Sequence, residues 1–314
     1  MITRTSDDHI LHLRDGRSLG YREFGDPDGL PVFLFHGIPG SRLGARVIAD
    51  QAARHGLRVI GTDRPGIGLS TFQRGRTFLD WPADLKEIAD ALELDQFAVI
   101  GNSGGSAYVM ACAHRMPERL TFAGIISGMG PVDVPRWQEE LRLPRVRRIL
   151  IAIGRRSPYL ACRMAGPVLQ REIDPARAGA LERIKSEMSA ADRRLLDQPD
   201  VAHVVLEDAA EALAQGALGV TWDLLLYTRP WGFKLRDIKF PIHLWHGDDD
   251  ITVPPIFGQT MAERVPHSRA TFWPDEGHLM AISRAEEIIE TIKATVSKDS
   301  IFSSEQPRLA AALE

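Results

Sequence analysis

Short, unbroken apolar runs alternate along this chain with stretches in which apolar residues recur every three or four positions. The runs 31–35, 57–60, 97–100 and 120–126 have the length and composition of strands buried on both faces, and strand-like runs return at 240–245 and 268–272. Stretches 42–55, 82–94, 255–264 and 285–296, and the Ala-rich segment after residue 105, have helical spacing. Strands and helices in this order predict an α/β fold with a mostly parallel twisted sheet covered on both faces. The chain opens differently: extended runs at 10–14 and 17–24 flank Asp15-Gly16, a pair suited to a tight turn, so an initial antiparallel hairpin is expected.

The alternation fails between 131 and 239. Helical periodicity is present there at 175–186, 200–214 and 218–227, without a convincing buried strand. This segment follows the carboxyl end of the 120–126 strand, the edge where open α/β sheets bind ligands, so a helical cap, or lid, is expected. The predicted division is a core of 1–130 and 240–296, a cap of 131–239 and a flexible tail of 297–314. The last residues, Leu309 to Glu314, resemble the remnant of a cloning site or read as a short Ala-rich helix, and are left out of the fold prediction.

Composition narrows the function classes. Over 314 residues, 44% hydrophobic and 25% charged with a net charge of -4, the chain has an ordinary globular balance and no basic footprint for nucleic acid. Residues 1–8 are polar and no apolar stretch approaches the roughly 18 residues of a membrane span, which predicts a cytoplasmic protein without stable membrane insertion. Cys112 and Cys162 read as buried thiols, not as a disulfide. One local departure stands out: Arg142, Arg145, Arg147, Arg148, Arg155 and Arg156 surround the apolar stretch 149–153. The first reading is the solvated face of a cap helix; the others are attraction of an anionic substrate or contact with a membrane surface. Oligomeric state is not legible.

Candidate chemistry begins at Gly101-Asn102-Ser103-Gly104-Gly105, a G-x-S-x-G element between a buried strand and a small-residue helix. A strand that turns this sharply into a helix projects its central residue alone at the sheet edge, and small residues two positions either side let the backbones approach. A serine hydroxyl is a poor nucleophile and needs a base within hydrogen-bond reach, itself oriented by an acid. His278 is the candidate base, because it follows the last strand, after Gly277, in a loop that overhangs the same edge. The acid is expected in the loop 246–254 after the 240–245 strand. Asp250 is the choice there, with Asp248 and Asp249 as alternatives. The chain order Ser103, Asp250, His278 belongs to one of the known serine triads.

With these residues the sequence resembles α/β-hydrolase fold proteins over about 10–296. The segment His36-Gly37-Ile38-Pro39-Gly40-Ser41 is similar to the family's H-G-x-P-G-S loop, and Asp63-Arg64-Pro65-Gly66-Ile67-Gly68-Leu69-Ser70 to its D-x-P-G-x-G-x-S block. Gly247 to Pro254 is similar to its G-x-x-D-x-x-x-P acid loop, a spacing that favours Asp250. The resemblance implies an oxyanion hole from the backbone N–H groups of Ile38 and Gly104. It also implies attack on an ester, lactone, thioester or amide carbonyl through an acyl-enzyme at Ser103, with no cofactor and no metal. A small-molecule substrate would meet Asn102, Met129, Trp222 and Phe233 as candidate pocket liners, core packing being the other reading of the last three. The G-N-S opening also resembles carbon–carbon bond hydrolases, although Gly104 stands where they carry Met. Proline iminopeptidases share the layout but carry an aromatic residue after the serine. Some members of the fold bind small molecules without turning them over.

Overall fold

The computed structural model describes residues 2–5, 7–134, 137–141 and 145–310. Among them nine strands form one sheet in the order β1-β2-β3-β5-β4-β6-β7-β8-β9. Their ranges are β1 Ile2–Thr5, β2 Asp8–His12, β3 Ser18–Gly25, β4 Leu30–Phe35, β5 Leu57–Thr62, β6 Phe97–Asn102, β7 Leu120–Ile126, β8 Ile242–Gly247 and β9 Ser268–Trp273. The pairs from β1 to β3 and β3 with β5 are antiparallel; every pair from β5 through β4 to β9 is parallel. The expected hairpin is β2–β3. Strand β1 was not anticipated: it pairs only with β2, at the sheet edge.

The inner parallel strands β4 to β8 are largely apolar because both faces are covered, whereas β9, at the sheet edge, leaves Arg269, Ala270 and Thr271 exposed. Along β4, Phe33 and Phe35 enter one core with α2 (Trp81–Ala91) and α3 (Ser106–Arg115), while Val32 and Leu34 enter the other. That second core contains Ala52 of α1 (Ala49–Arg54) and Ile288, Ile289 and Ile292 of the closing helix. The helix expected over 42–55 is split. A 3-10 segment, Arg42–Ile48, precedes α1, its first turn capped by the Ser41 hydroxyl, which accepts the N–H of Leu43.

Between β7 and β8 every regular element among the described residues is helical: α4 Trp137–Glu140, α5 Arg145–Arg156, α6 Pro158–Ile173, α7 Ala180–Ser186, α8 Ala190–Leu196, α9 Pro199–Ala212, α10 Leu218–Leu226 and a 3-10 segment, Leu235–Asp237. Helices α6 and α8 were not expected from the pattern. Arg142 lies outside the described residues. After β8 come α11 (Ile256–Arg264), β9, α12 (Met280–Ser283) and α13 (Ala285–Ala310). Helix α13 therefore continues past 296, where the sequence predicts a tail; no Gly or Pro interrupts it before Pro307. Residues 311–314 lie outside the described residues. Among the described residues no helix is long and apolar enough to cross a membrane.

Candidate active site

Because β4, β6, β8 and β9 run parallel, the residues that follow them meet at one edge of the sheet. Ser103 follows β6 and has φ +52°, a left-handed conformation rare for a residue with a side chain. The turn is possible because of what its flanks lack. A Cβ on Gly101 would lie 2.6 Å from the Gly105 carbonyl oxygen, and one on Gly105 would lie 2.2 Å from that of Phe35. Ser103 is buried, its carbonyl accepting the N–H of Met129 at 3.1 Å.

Asp250 and His278, from the loops after β8 and β9, are brought together. His278 Nδ1 donates to Asp250 Oδ2 at 2.8 Å, in a buried pair. The other oxygen, Oδ1, accepts the N–H groups of Thr252 at 2.9 Å and Val253 at 2.8 Å. Asp248 and Asp249 stand exposed. Burial alone would raise the Asp250 carboxyl, but the charge of His278 and the hydrogen bonds from His246 and His278 hold it well below the usual carboxylate range. Burial alone would lower the His278 imidazole. The Asp250 carboxylate outweighs it, Asp192 adds to the effect, and His278 titrates above its ordinary value. With Nδ1–H committed to Asp250, the neutral ring keeps Nε2 as an acceptor.

Ile38 and Gly104 are adjacent: a Cβ on Gly104 would lie 2.4 Å from Ile38 Cγ1. The backbone leading into Ile38 is held by a buried arginine. Arg64 donates to the carbonyls of His36 at 2.5 Å and Gly37 at 2.8 Å, and its Nε donates to Asp223 of α10 at 2.6 Å. Asp223 also accepts from Arg76 and from the Tyr108 hydroxyl, so one buried carboxylate, held well below its usual range against its burial, serves two buried guanidiniums. His36 donates from Nδ1 to the Gly37 carbonyl at 2.8 Å; burial and Arg64 keep it neutral.

Sequence reasoning missed the helices' part in this site. Asp192 of α8 accepts the N–H groups of His278 at 3.0 Å and Leu279 at 2.7 Å. Asp208 of α9 accepts from the Ser41 N–H at 2.8 Å and hydroxyl at 2.7 Å, on the loop that carries Ile38. Tyr227, just after α10, donates to the Gly104 carbonyl at 3.0 Å and accepts the Ala107 N–H at 3.1 Å. No local signal marks these residues, since each acts on a distant loop.

The candidate liners separate. Asn102 ends β6, half-buried, and its Oδ1 has no partner among the described residues. Met129 is tied to Ser103 through its backbone, and its carbonyl accepts the Ser106 hydroxyl at 2.5 Å. Trp222 and Phe233 each have packing partners. Trp222 is buried against Phe72 and donates to the Arg76 carbonyl; Phe233 stacks on His114 near the far end of α3 from Ser103.

A family model described as alpha/beta hydrolase fold matches residues 31–145. The chain is 29% identical to a poly(3-hydroxyalkanoate) depolymerase of Ectopseudomonas oleovorans over 276 residues, 85% of this chain and 84% of the other. It is 34% identical to a 2-hydroxy-6-oxo-2,4-heptadienoate hydrolase of Pseudomonas putida over 134 residues, 39% of this chain and 48% of the other. In fold it matches a hydrolase from Pseudomonas aeruginosa PA01 with a TM-score of 0.68, covering 93% of this chain and 99% of that one at 18% identity.

Proposed function

We propose, for a chain that belongs to the α/β-hydrolase fold superfamily, that it is a serine hydrolase cleaving an ester, lactone or thioester bond of a small organic substrate through an acyl-enzyme. The observation that carries this reading is the buried Asp250–His278 hydrogen bond on the sheet edge where Ser103 projects from its left-handed turn. In this reading Ser103 Oγ attacks the carbonyl carbon while His278 Nε2 takes its proton and Asp250 stabilises the resulting imidazolium. The N–H groups of Ile38 and Gly104 receive the oxyanion, each contributing a few kcal/mol. His278 returns the proton to the leaving oxygen or sulfur. It then activates the water that releases the acyl group. The helices between β7 and β8 act as the cap, a role supported by the contacts of Asp192, Asp208 and Tyr227 with the loops of the site.

Ester-type substrates are favoured by the depolymerase similarity, which extends over most of both chains, since a poly(3-hydroxyalkanoate) is a polyester. The test is hydrolysis of p-nitrophenyl esters of increasing acyl length by wild type, Ser103→Ala and His278→Ala. Wild-type turnover that falls about a thousandfold or more in both variants is expected. Equal turnover by Ser103→Ala would end the reading.

A second reading, carbon–carbon bond hydrolysis, is favoured by the local similarity to the heptadienoate hydrolase and by the unpartnered Asn102 Oδ1 beside Ser103. It takes precedence if the ester series is inert and 2-hydroxy-6-oxo-2,4-heptadienoate is turned over. Absence of turnover on both would favour binding without catalysis.

A further inference from the structure

Helices α5 and α6, joined through Ser157, are apolar on the side turned to water as well as on the side turned inward. On α6, Ala161, Cys162 and Gly166 are buried, Gly166 lying beside Ala217 and Thr221. Its opposite face, read at helical spacing, is Leu160, Arg163, Met164, Pro167, Val168 and Arg171, and all six are exposed. Leu160, Met164 and Val168 keep 55%, 56% and 56% of their surface; on α5, Ile149 keeps 60% and Ile153 38%. Seven large apolar side chains are exposed among the described residues, and five of them stand on these two helices. Concentration of that kind marks a surface built to be covered.

Charge decides what covers it. Residues 145–171 hold seven arginines and no aspartate or glutamate, in a chain whose net charge is -4. Arg155, Arg156, Arg163 and Arg171 are exposed among the apolar residues; the side chains of Arg145 and Arg147 lie outside the described residues. A second copy would set this basic face against itself in a two-fold contact, arginine facing arginine. An anionic lipid surface complements both properties: the apolar side chains enter below the headgroups and the guanidiniums pair with phosphates, their stems lying along the boundary.

We propose that the α5–α6 face docks this protein on anionic phospholipid membranes as a peripheral protein. Docking is independent of the hydrolase reading and is measured without substrate.

The experiment is co-sedimentation of the full chain with vesicles of phosphatidylcholine alone and of equimolar phosphatidylcholine and phosphatidylglycerol, at low and high salt. The wild type is expected to pellet with the anionic vesicles at low salt and to be released by high salt. Arg156→Gln/Arg163→Gln/Arg171→Gln is expected to bind roughly a hundredfold more weakly, at about fivefold per arginine. Ile149→Ser/Leu160→Ser/Met164→Ser is expected to weaken binding while leaving the circular dichroism spectrum unchanged. A wild type that stays in solution with anionic vesicles at low salt would overturn the proposal. So would binding unchanged by the serine substitutions, or a wild-type dimer that those substitutions dissociate.

Discussion

Asp192 on α8 accepts the backbone N–H of His278 with the same carboxylate that accepts the N–H of Leu279, so a helix inserted between β7 and β8 holds the loop of the candidate base. Asp192→Ala removes the acceptor of one buried and one part-buried donor and is expected to cost about 1–3 kcal/mol of stability. Asp192→Asn keeps an acceptor and removes the charge. Because that charge helps to raise His278, the acid limb of kcat/KM is expected to move to lower pH in the asparagine variant, with kcat reduced more than KM is changed. An unmoved limb would leave Asp192 a purely structural role.

The proposed base must be neutral to act. His278 titrates above its ordinary value, so activity is expected to fall as pH drops through that raised pKa. Asp250→Asn removes the main cause of the elevation. Burial then prevails and the acid limb moves down, while kcat falls about 10³–10⁴-fold. The pair also links to stability, in opposite directions. The raised His278 contributes stability that is present below its unfolded value and lost as pH rises through its folded value; the lowered Asp250 contributes stability above its unfolded value, lost as pH falls through its folded one. Rate profiles and thermal midpoints of wild type and variant across pH separate the two effects.

The turn at Ser103 holds a side chain at φ +52°. Ser103→Gly relieves that conformation and is expected to stabilise the protein by about 1 kcal/mol while abolishing ester turnover, a combination read from the thermal midpoint and the p-nitrophenyl assay together. Gly105→Ala has the opposite outcome. Its Cβ would sit 2.2 Å from the Phe35 carbonyl oxygen, so strand β4 must shift and the protein should lose about 3 kcal/mol or more.

Removing Asp223 strands Arg64 and Arg76 without their common counter-ion. Asp223→Ala is expected to destabilise by about 3–5 kcal/mol in chemical denaturation. Arg64 also fixes the carbonyls of His36 and Gly37, so surviving folded protein should lose kcat through a displaced Ile38 N–H.

What the chain discloses before folding is what depends on neighbours in sequence. The strands β4 to β8 are legible because burial on both faces leaves unbroken apolar runs, and Ser103 is legible because its turn needs Gly101 and Gly105 close by. Asp250 and His278 could be chosen because each follows a strand that ends at the same edge. Asp192 could not, since the loop it holds lies 86 positions away. Helix α6 escaped for another reason: apolar residues on its outer face erase the one-sided pattern by which helices are recognised. Residue type alone left Trp222 and Phe233 open between pocket lining and core packing; Phe72 and His114 give them packing partners.

Three consecutive helices of the insertion each give one aspartate to the core: Asp192 to the His278 loop, Asp208 to Ser41, Asp223 to Arg64. An engineer who exchanged these helices for a relative's to alter specificity would thus be exchanging part of the scaffold of the proposed reacting groups. A chimera would retain its working geometry only if the incoming helices delivered carboxylates to the same three places.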